Sequence, residues 1–150
     1  MATLAFQPLL LSKVEGRPVA ISNINVPIFV VSTEKDHVAP WRSVYKILLQ
    51  ADGPLTFVLT NGGHNAGIIS EPGHPRRHYR VTTSNEGQSY VDPDAWFARA
   101  PVKEGSWWPA WESWLRARSS PEEVEPRTIT ADRQAFPALC DAPGIYVLQK

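Results

Sequence analysis

The fold of this chain is decided by residues 27–64, which run PIFVVSTEKDHVAPWRSVYKILLQADGPLTFVLTNGGH. Two apolar runs rich in β-branched residues, Pro27–Thr33 and Leu55–Thr60, are typical of strands buried on both faces of a parallel sheet. Between them, apolar residues recur at helical spacing in Trp41–Gln50, and Pro40 suits a first helical turn. Strand, helix and strand within this length predict a βαβ unit whose two strands are adjacent and parallel. The expected fold class is therefore α/β.

A carboxylate and an imidazole follow these two strands, Asp36 after the first and His64 after the second. An α/β-hydrolase triad takes its acid and its histidine from such strand ends, in this order, downstream of the nucleophile. Alone, Asp36 would be a turn or capping residue and His64 an ordinary loop histidine. Their paired placement favours a catalytic acid and base, and Gly62 and Gly63 support it because glycine lets the backbone turn sharply. We predict that the two side chains lie within hydrogen-bonding reach.

The other three histidines are better explained by structural roles. His37 is adjacent to Asp36 and points in a different direction, so we predict a packing or hydrogen-bonding residue. His74 and His78 fall in residues 71–92, a stretch rich in Pro, Gly and Arg that predicts an irregular excursion. A solvated loop is favoured there over contact with an anionic substrate. No further ligands occur at a metal-binding spacing, so neither a metal nor a cofactor is predicted.

The only cysteine, Cys140, is a poor candidate for the nucleophile. A triad nucleophile sits on a glycine-flanked elbow between a strand and a helix, upstream of the acid and the base. Cys140 is downstream of both, and no Gly-x-Ser-x-Gly or Gly-x-Cys-x-Gly box occurs in the 150 residues. A small complete hydrolase that uses Cys140 or a serine is therefore the least favoured interpretation.

The composition excludes several classes of protein. Lys+Arg and Asp+Glu balance at 15 each, which leaves no basic stripe for nucleic acid. The apolar runs are too short to span a bilayer, and Met1–Lys13 lacks the positive start of a signal peptide. A single cysteine fits a reducing cytoplasm. The hydrophobic share of 43% suffices for a core, while 14 prolines argue against a simple helical bundle.

The second half of the chain predicts two helices and a tail. Pro93–Ala100 follows Asp92, a good N-cap, and Ser106–Arg118 carries a tryptophan stripe that we interpret as core packing. The stripe consists of Trp107, Trp111, Trp114 and Leu115. The predicted organisation has three parts. Residues 1–26 are a lead-in segment of uncertain structure, residues 27–118 are a partial catalytic domain, and residues 119–150 are a proline-rich tail that packs on that domain.

Four motifs in order resemble the C-terminal part of the polyhydroxyalkanoate synthases, also called poly(3-hydroxybutyrate) polymerases. The motifs are Asp36-His37-Val38-Ala39-Pro40-Trp41, then Phe57-Val58-Leu59-Thr60 with Gly63-His64, then Gly105-Ser106-Trp107-Trp108-Pro109-Ala110-Trp111 with Trp114-Leu115, and Ala142-Pro143-Gly144-Ile145-Tyr146-Val147. The resemblance covers nearly the whole chain from about Gly16 onward.

The resemblance implies an α/β-hydrolase catalytic domain and an acyltransferase. Such synthases move a 3-hydroxyacyl group from coenzyme A onto a cysteine thiolate and extend an ester chain, in the cytoplasm and at polyester granules. By motif, His64 matches the general base and Asp36 the acid that assists it. The cysteine motif has no counterpart in these residues, so we expect a synthase fragment that is inactive alone, because triad members act as a unit.

A non-catalytic interaction module is the alternative. The two predicted strands would stand at one side of a larger sheet, and an unpaired apolar edge invites a partner. Such a module would pair with a full-length synthase or a granule surface, or self-associate, and the chain alone would be marginally stable.

Overall fold

The computed structural model describes residues 12–125 and 139–149, which fall into two compact units that divide between Ala117 and Arg118. The start of the predicted lead-in, residues 1–11, and residues 126–138 and 150 of the predicted tail lie outside the described residues. The strands are β1 (Ser12–Val14), β2 (Arg17–Val19), β3 (Ile28–Thr33), β4 (Leu55–Thr60), β5 (His78–Ser84) and β6 (Val102–Glu104). The α-helices are α1 (Trp41–Val44), α2 (Pro93–Arg99) and α3 (Trp108–Arg116).

A four-stranded mixed sheet in the order β3-β4-β5-β6 forms the centre of the first unit. β3 and β4 are parallel, with Ile28 opposite Leu55 and Thr33 opposite Thr60, as the sequence predicts. β5 runs antiparallel to β4, and β6 antiparallel to β5. β1 and β2 form a separate antiparallel pair. The α/β class is therefore confirmed.

The core is organised around β4, all six residues of which are buried. Leu55, Phe57 and Leu59 alternate onto one face, as the strand period of two requires. There they pack with aromatic residues from α1, the turn after it and α2, including Trp41, Tyr45 and Trp96. Val58 packs on the opposite face with Tyr79 and Trp107. Because both faces are covered, β4 is the rigid support for the segment that follows it.

The structure refines one sequence prediction about local structure and overturns another. The connection Trp41–Gln50 is helical, as predicted, but it is one α-helical turn, α1, followed by a 3-10 helix, Tyr45–Leu49. Residues 71–92 are not irregular throughout, because they contain β5. Its polar residues pair with the apolar β4, so the cross-strand hydrogen bonds decide the structure there rather than hydrophobicity.

The two later helices begin and end close to the predicted positions. α2 starts after Asp92, whose Oδ1 accepts hydrogen bonds from the amides of Asp94 (2.9 Å) and Ala95 (3.4 Å). α3 is shorter than predicted and begins at Trp108 rather than Ser106. The predicted stripe is only partly buried, since Trp107 is 7% exposed but Trp111 is 43% exposed.

In the second unit, the described residues include a 3-10 helix at Tyr146–Leu148 and an exposed Cys140. The packing of residues 119–150 on the predicted domain stays a prediction. Within residues 12–125 and 139–149, no helix has the length and apolar character needed to cross a membrane.

The core role of β4 gives a stability prediction. Leu59→Ala removes a side chain that is 0% exposed, and we expect it to lower the free energy of unfolding by about 2–5 kcal/mol. The same change at Leu49, which is 59% exposed, should cost no more than about 0.5 kcal/mol. Urea denaturation of both variants measures this. Equal losses in the two variants would contradict the assigned core.

Candidate functional site

The side chains of Asp36 and His64 meet beyond the ends of β3 and β4. His64 Nδ1 lies 2.8 Å from Asp36 Oδ2, although the two residues are 28 positions apart in the chain. The contact that the sequence predicts is therefore present. It joins a carboxylate that is 8% exposed to an imidazole that is 48% exposed.

The backbone brings the two groups together by continuing the strand pairing past the strands. The Glu34 amide donates to Thr60 O (2.9 Å), and the Lys35 amide donates to Gly62 O (2.9 Å). Gly62 has φ +108°, a left-handed conformation that favours glycine. The chain can then turn toward His64 while it stays bonded to the segment that carries Asp36.

Asp36 uses its two carboxylate oxygens for different tasks. Oδ1 accepts hydrogen bonds from the amides of Val38 (2.9 Å) and Ala39 (2.8 Å), which closes a tight turn. Oδ2 is left to accept from His64. The sequence offered two alternatives for Asp36, a turn residue or the partner of His64. The structure shows that it is both.

These hydrogen bonds lower the pKa of Asp36 to about 2, first that from Ala39 and next that from His64, while removal from water opposes them. The carboxylate is ionised at neutral pH and can only accept hydrogen bonds. His64 Nδ1 must therefore be the donor. In the neutral imidazole this leaves the lone pair on Nε2, in a half-exposed ring, where it can accept a proton from another group.

The other histidines stand apart from this pair. His37 is exposed, so the packing role is wrong, and the hydrogen-bonding role offered as its alternative stays a prediction. His74 Nδ1 lies 3.1 Å from Pro75 O, and its Nε2 lies 3.4 Å from Arg77 Nη2. His78 is the first residue of β5, which corrects its assignment to a solvated loop.

Sequence reasoning missed a charged cluster that joins Glu34, the residue after β3, to two residues of β5. Glu34 Oε1 lies 3.6 Å from Arg80 Nη1 and 3.8 Å from His78 Nε2. Arg80 also donates from Nε to Phe97 O (3.2 Å) and places its guanidinium 4.1 Å from the centre of the Phe97 ring. The sequence gives little sign of this cluster. Because β5 was not predicted as a strand, Arg80 was expected to be an exposed loop residue.

Asn61 is a second residue that the sequence did not single out. Its Nδ2 donates to Arg76 O (2.8 Å), and its Oδ1 accepts from the His78 amide (3.3 Å). The Asn61 amide donates in turn to His78 O (3.0 Å). Asn61 therefore ties the start of the His64 segment to β5. Its position between Thr60 and Gly62, at a strand end, is the one available signal.

Among residues 12–125 and 139–149, no group of three or more His, Cys, Asp or Glu side chains could hold a metal ion. The chemistry of the described site is that of a carboxylate and an imidazole, which can orient a ring and accept a proton.

The bonding of Asp36 predicts its titration. We expect a midpoint near pH 2 for its carboxyl in carbon NMR spectra of the wild type. In His64→Ala the midpoint should rise but stay below the ordinary value of about 3.9, because the Val38 and Ala39 amides remain. His74→Ala is the control and should change nothing. Full return to the ordinary value in His64→Ala, or no change, would contradict the bonding described.

The same pKa fixes the sign of a pH effect on stability. Because folding lowers the pKa, the ionised carboxylate stabilises the folded state fully above about pH 4. This contribution is lost as the pH falls through about 2, the folded value.

Comparison with known proteins identifies a group of relatives. The chain is 38% identical to poly(3-hydroxyalkanoate) polymerase 2 of Ectopseudomonas oleovorans over 135 residues. This match covers 90% of the chain and 23% of the polymerase. It is 35% identical over 130 residues to the poly(3-hydroxyalkanoate) polymerase of Methylorubrum extorquens, covering 87% of this chain and 20% of that protein. It is 33% identical to the poly(3-hydroxyalkanoate) polymerase subunit PhaC of Cupriavidus necator. This match of 136 residues covers 90% of this chain and 22% of the PhaC subunit.

No family model matches the sequence. The chain spans less than a quarter of the length of the curated relatives it matches. The resemblance inferred from the four motifs is confirmed: the chain is a relative of the poly(3-hydroxyalkanoate) polymerases over nearly all of its own length and corresponds to their C-terminal part.

Proposed function

We propose that this chain supplies the catalytic acid and base of a poly(3-hydroxyalkanoate) polymerase with an α/β-hydrolase fold. The observation that carries the proposal is the 2.8 Å contact between Asp36 Oδ2 and His64 Nδ1. It is supported by the placement of both residues after adjacent parallel strands, which is the order of acid and base in that fold. The relatives' name supplies the reaction class.

In the proposed reaction the substrate is a 3-hydroxyacyl-coenzyme A, and the nucleophile is a cysteine thiol from polypeptide other than these 150 residues. His64 Nε2 takes the thiol proton, and the thiolate attacks the thioester carbonyl. Coenzyme A leaves as a thiol after it receives that proton from the imidazolium, so the acyl group is now on the cysteine. His64 next deprotonates an incoming hydroxyl, whose oxygen attacks the acyl group. The ester forms as the bond to the cysteine sulfur breaks, and the departing thiolate takes the proton back from the imidazolium. Asp36 holds the ring and stabilises its charged form in each step.

A second candidate function rests on the free edge of β3. Among the described residues β3 has one strand partner, β4, and its other edge is unpaired. An unpaired edge strand can add a strand from another chain. The chain would then be a module that pairs with a full-length polymerase or with itself, and co-purification with a tagged full-length polymerase tests this.

A chimaera tests the catalytic proposal. The 150 residues replace the matching segment of the Ectopseudomonas oleovorans polymerase 2, to which they are 38% identical. We expect turnover of a 3-hydroxyacyl-coenzyme A, with kcat lowered about 10⁶-fold in His64→Ala and about 10⁴-fold in Asp36→Ala. The control His74→Ala should keep full activity. A folded chimaera without activity, or one that stays active in His64→Ala, would contradict the proposal.

The isolated chain should behave differently. We expect no turnover of 3-hydroxybutyryl-coenzyme A by the purified 150 residues, because a base without its nucleophile has nothing to activate. Release of free thiol from the substrate measures this, with Cys140→Ala and His64→Ala as comparisons. Clear wild-type activity that both variants lose would identify Cys140 as the nucleophile and overturn the proposed division of the site.

A further inference from the structure

Three consecutive side chains donate hydrogen bonds to the backbone of the segment that follows His64. Ser106 Oγ donates to Ser70 O. Trp107 Nε1 donates to Gly67 O at 3.2 Å, and Trp108 Nε1 donates to Ile68 O at 3.0 Å. We call Ser106, Trp107 and Trp108 the clamp. It joins the start of α3 to residues 65–70, about 40 positions earlier in the chain.

Residues 65–70 lie outside any strand, and all of them except Gly67 and Ser70 are exposed, Ile69 at 64%. Burial therefore fixes this segment at those two positions and not along its length. Their own backbone bonds are local, with the amides of Ile68 and Ile69 both donating to Asn65 O. The three clamp bonds therefore add long-range restraints to a segment whose own backbone hydrogen bonds are local.

The segment is also placed tightly against the end of β3. A Cβ built on Gly67 would lie 2.5 Å from Thr33 Cγ2, closer than real contacts allow. The Gly67 amide donates to Gly63 O (3.0 Å), next to His64. A shift of Gly67 would therefore be transmitted directly to the residue that precedes the imidazole.

The clamp residues are themselves fixed. The Trp107 ring is buried and lies 6.4 Å from the ring of Phe29, centre to centre, on the face of β3 that α3 covers. Ser106 is buried, and its Oγ accepts from the Trp108 amide (3.0 Å). Gly105, with φ +92°, forms the corner before them and donates its amide to Arg77 O (2.7 Å). Donors that are fixed in this way can hold an irregular segment in one place.

We propose that Ser106, Trp107 and Trp108 are positioning residues that keep the His64 imidazole opposite Asp36. The strand-end bond from Lys35 to Gly62 O restrains the chain before His64, and the clamp restrains the chain after it. The backbone on both sides of His64 is thus restrained, although no clamp side chain bonds to the imidazole itself. The kinetic part of this proposal rests on the proposed function, whereas the geometric part does not.

The test removes one indole N–H at a time, at Trp107 just before α3 or at Trp108 or Trp111 within it. Trp108→Phe and Trp107→Phe keep an aromatic ring but remove the N–H donor, and Trp111→Phe makes the same change one turn later, at a half-exposed position. Trp108 is the safer variant, since its contact to Ile68 O is exposed while that of Trp107 is buried. Urea denaturation first establishes that each variant of the 150-residue chain is folded.

The first readout is the ring nitrogens of His64 in long-range ¹H–¹⁵N spectra of the isolated chain. In the wild type and in Trp111→Phe we expect one fixed tautomer with the proton on Nδ1. In Trp108→Phe and in folded Trp107→Phe we expect signals averaged between the two tautomers. Unchanged His64 signals in Trp108→Phe, or an equal change in Trp111→Phe, would overturn the proposal.

The second readout is steady-state kinetics of the chimaera. Trp108→Phe should lower kcat by about 10- to 100-fold and leave KM within about twofold, because a misplaced base affects the chemical step rather than substrate binding. A change in KM alone would overturn the positioning role. If the ring signals change as expected but the unsubstituted chimaera is inactive, the proposed function fails while the clamp geometry stands.

Discussion

The parallel pairing of β3 with β4 is the constraint on which the rest of this structure depends. Thr33 stands opposite Thr60 at the ends of the two strands, and backbone bonds continue past them from Glu34 and Lys35. Since both strands end at the same edge of the sheet, the segments that follow must leave it side by side. The full burial of β4 fixes that edge, so Asp36 and His64, which are 28 positions apart, are brought close by one strand pairing.

Asp36 illustrates how one side chain can serve structure and chemistry together. Its turn bonds and its imidazole bond are made by different oxygens, and all of them favour the ionised form. The group that closes the turn is therefore also a fixed negative charge beside the ring. Asp36 is thus fixed by its own turn, whereas the segment after His64 is held by bonds from the distant Trp107 and Trp108 indoles.

The sequence predicted correctly those parts of the structure where a single pattern, such as a run of apolar residues, pointed to one kind of element. The apolar runs around Val30 and Val58 had no competing interpretation, and Asp36 and His64 followed from their ends. β5 escaped prediction because Arg80 and its polar neighbours carry no hydrophobic signal, and only pairing with β4 makes them a strand. The bonds of Trp107 and Trp108 were hidden for a related reason: an indole at helical spacing indicates packing, and its donor cannot be placed without the three-dimensional contact.

The central claim is that a proton on His64 Nδ1 is shared with an ionised Asp36. Proton NMR of the wild-type chain at low temperature tests this most directly, because a ring N–H bonded to a carboxylate resonates far downfield of the backbone amides. The account predicts one such resonance in the wild type, its loss in Asp36→Asn and its persistence in His74→Ala. Its absence from the wild type, or its persistence in Asp36→Asn, would contradict the account.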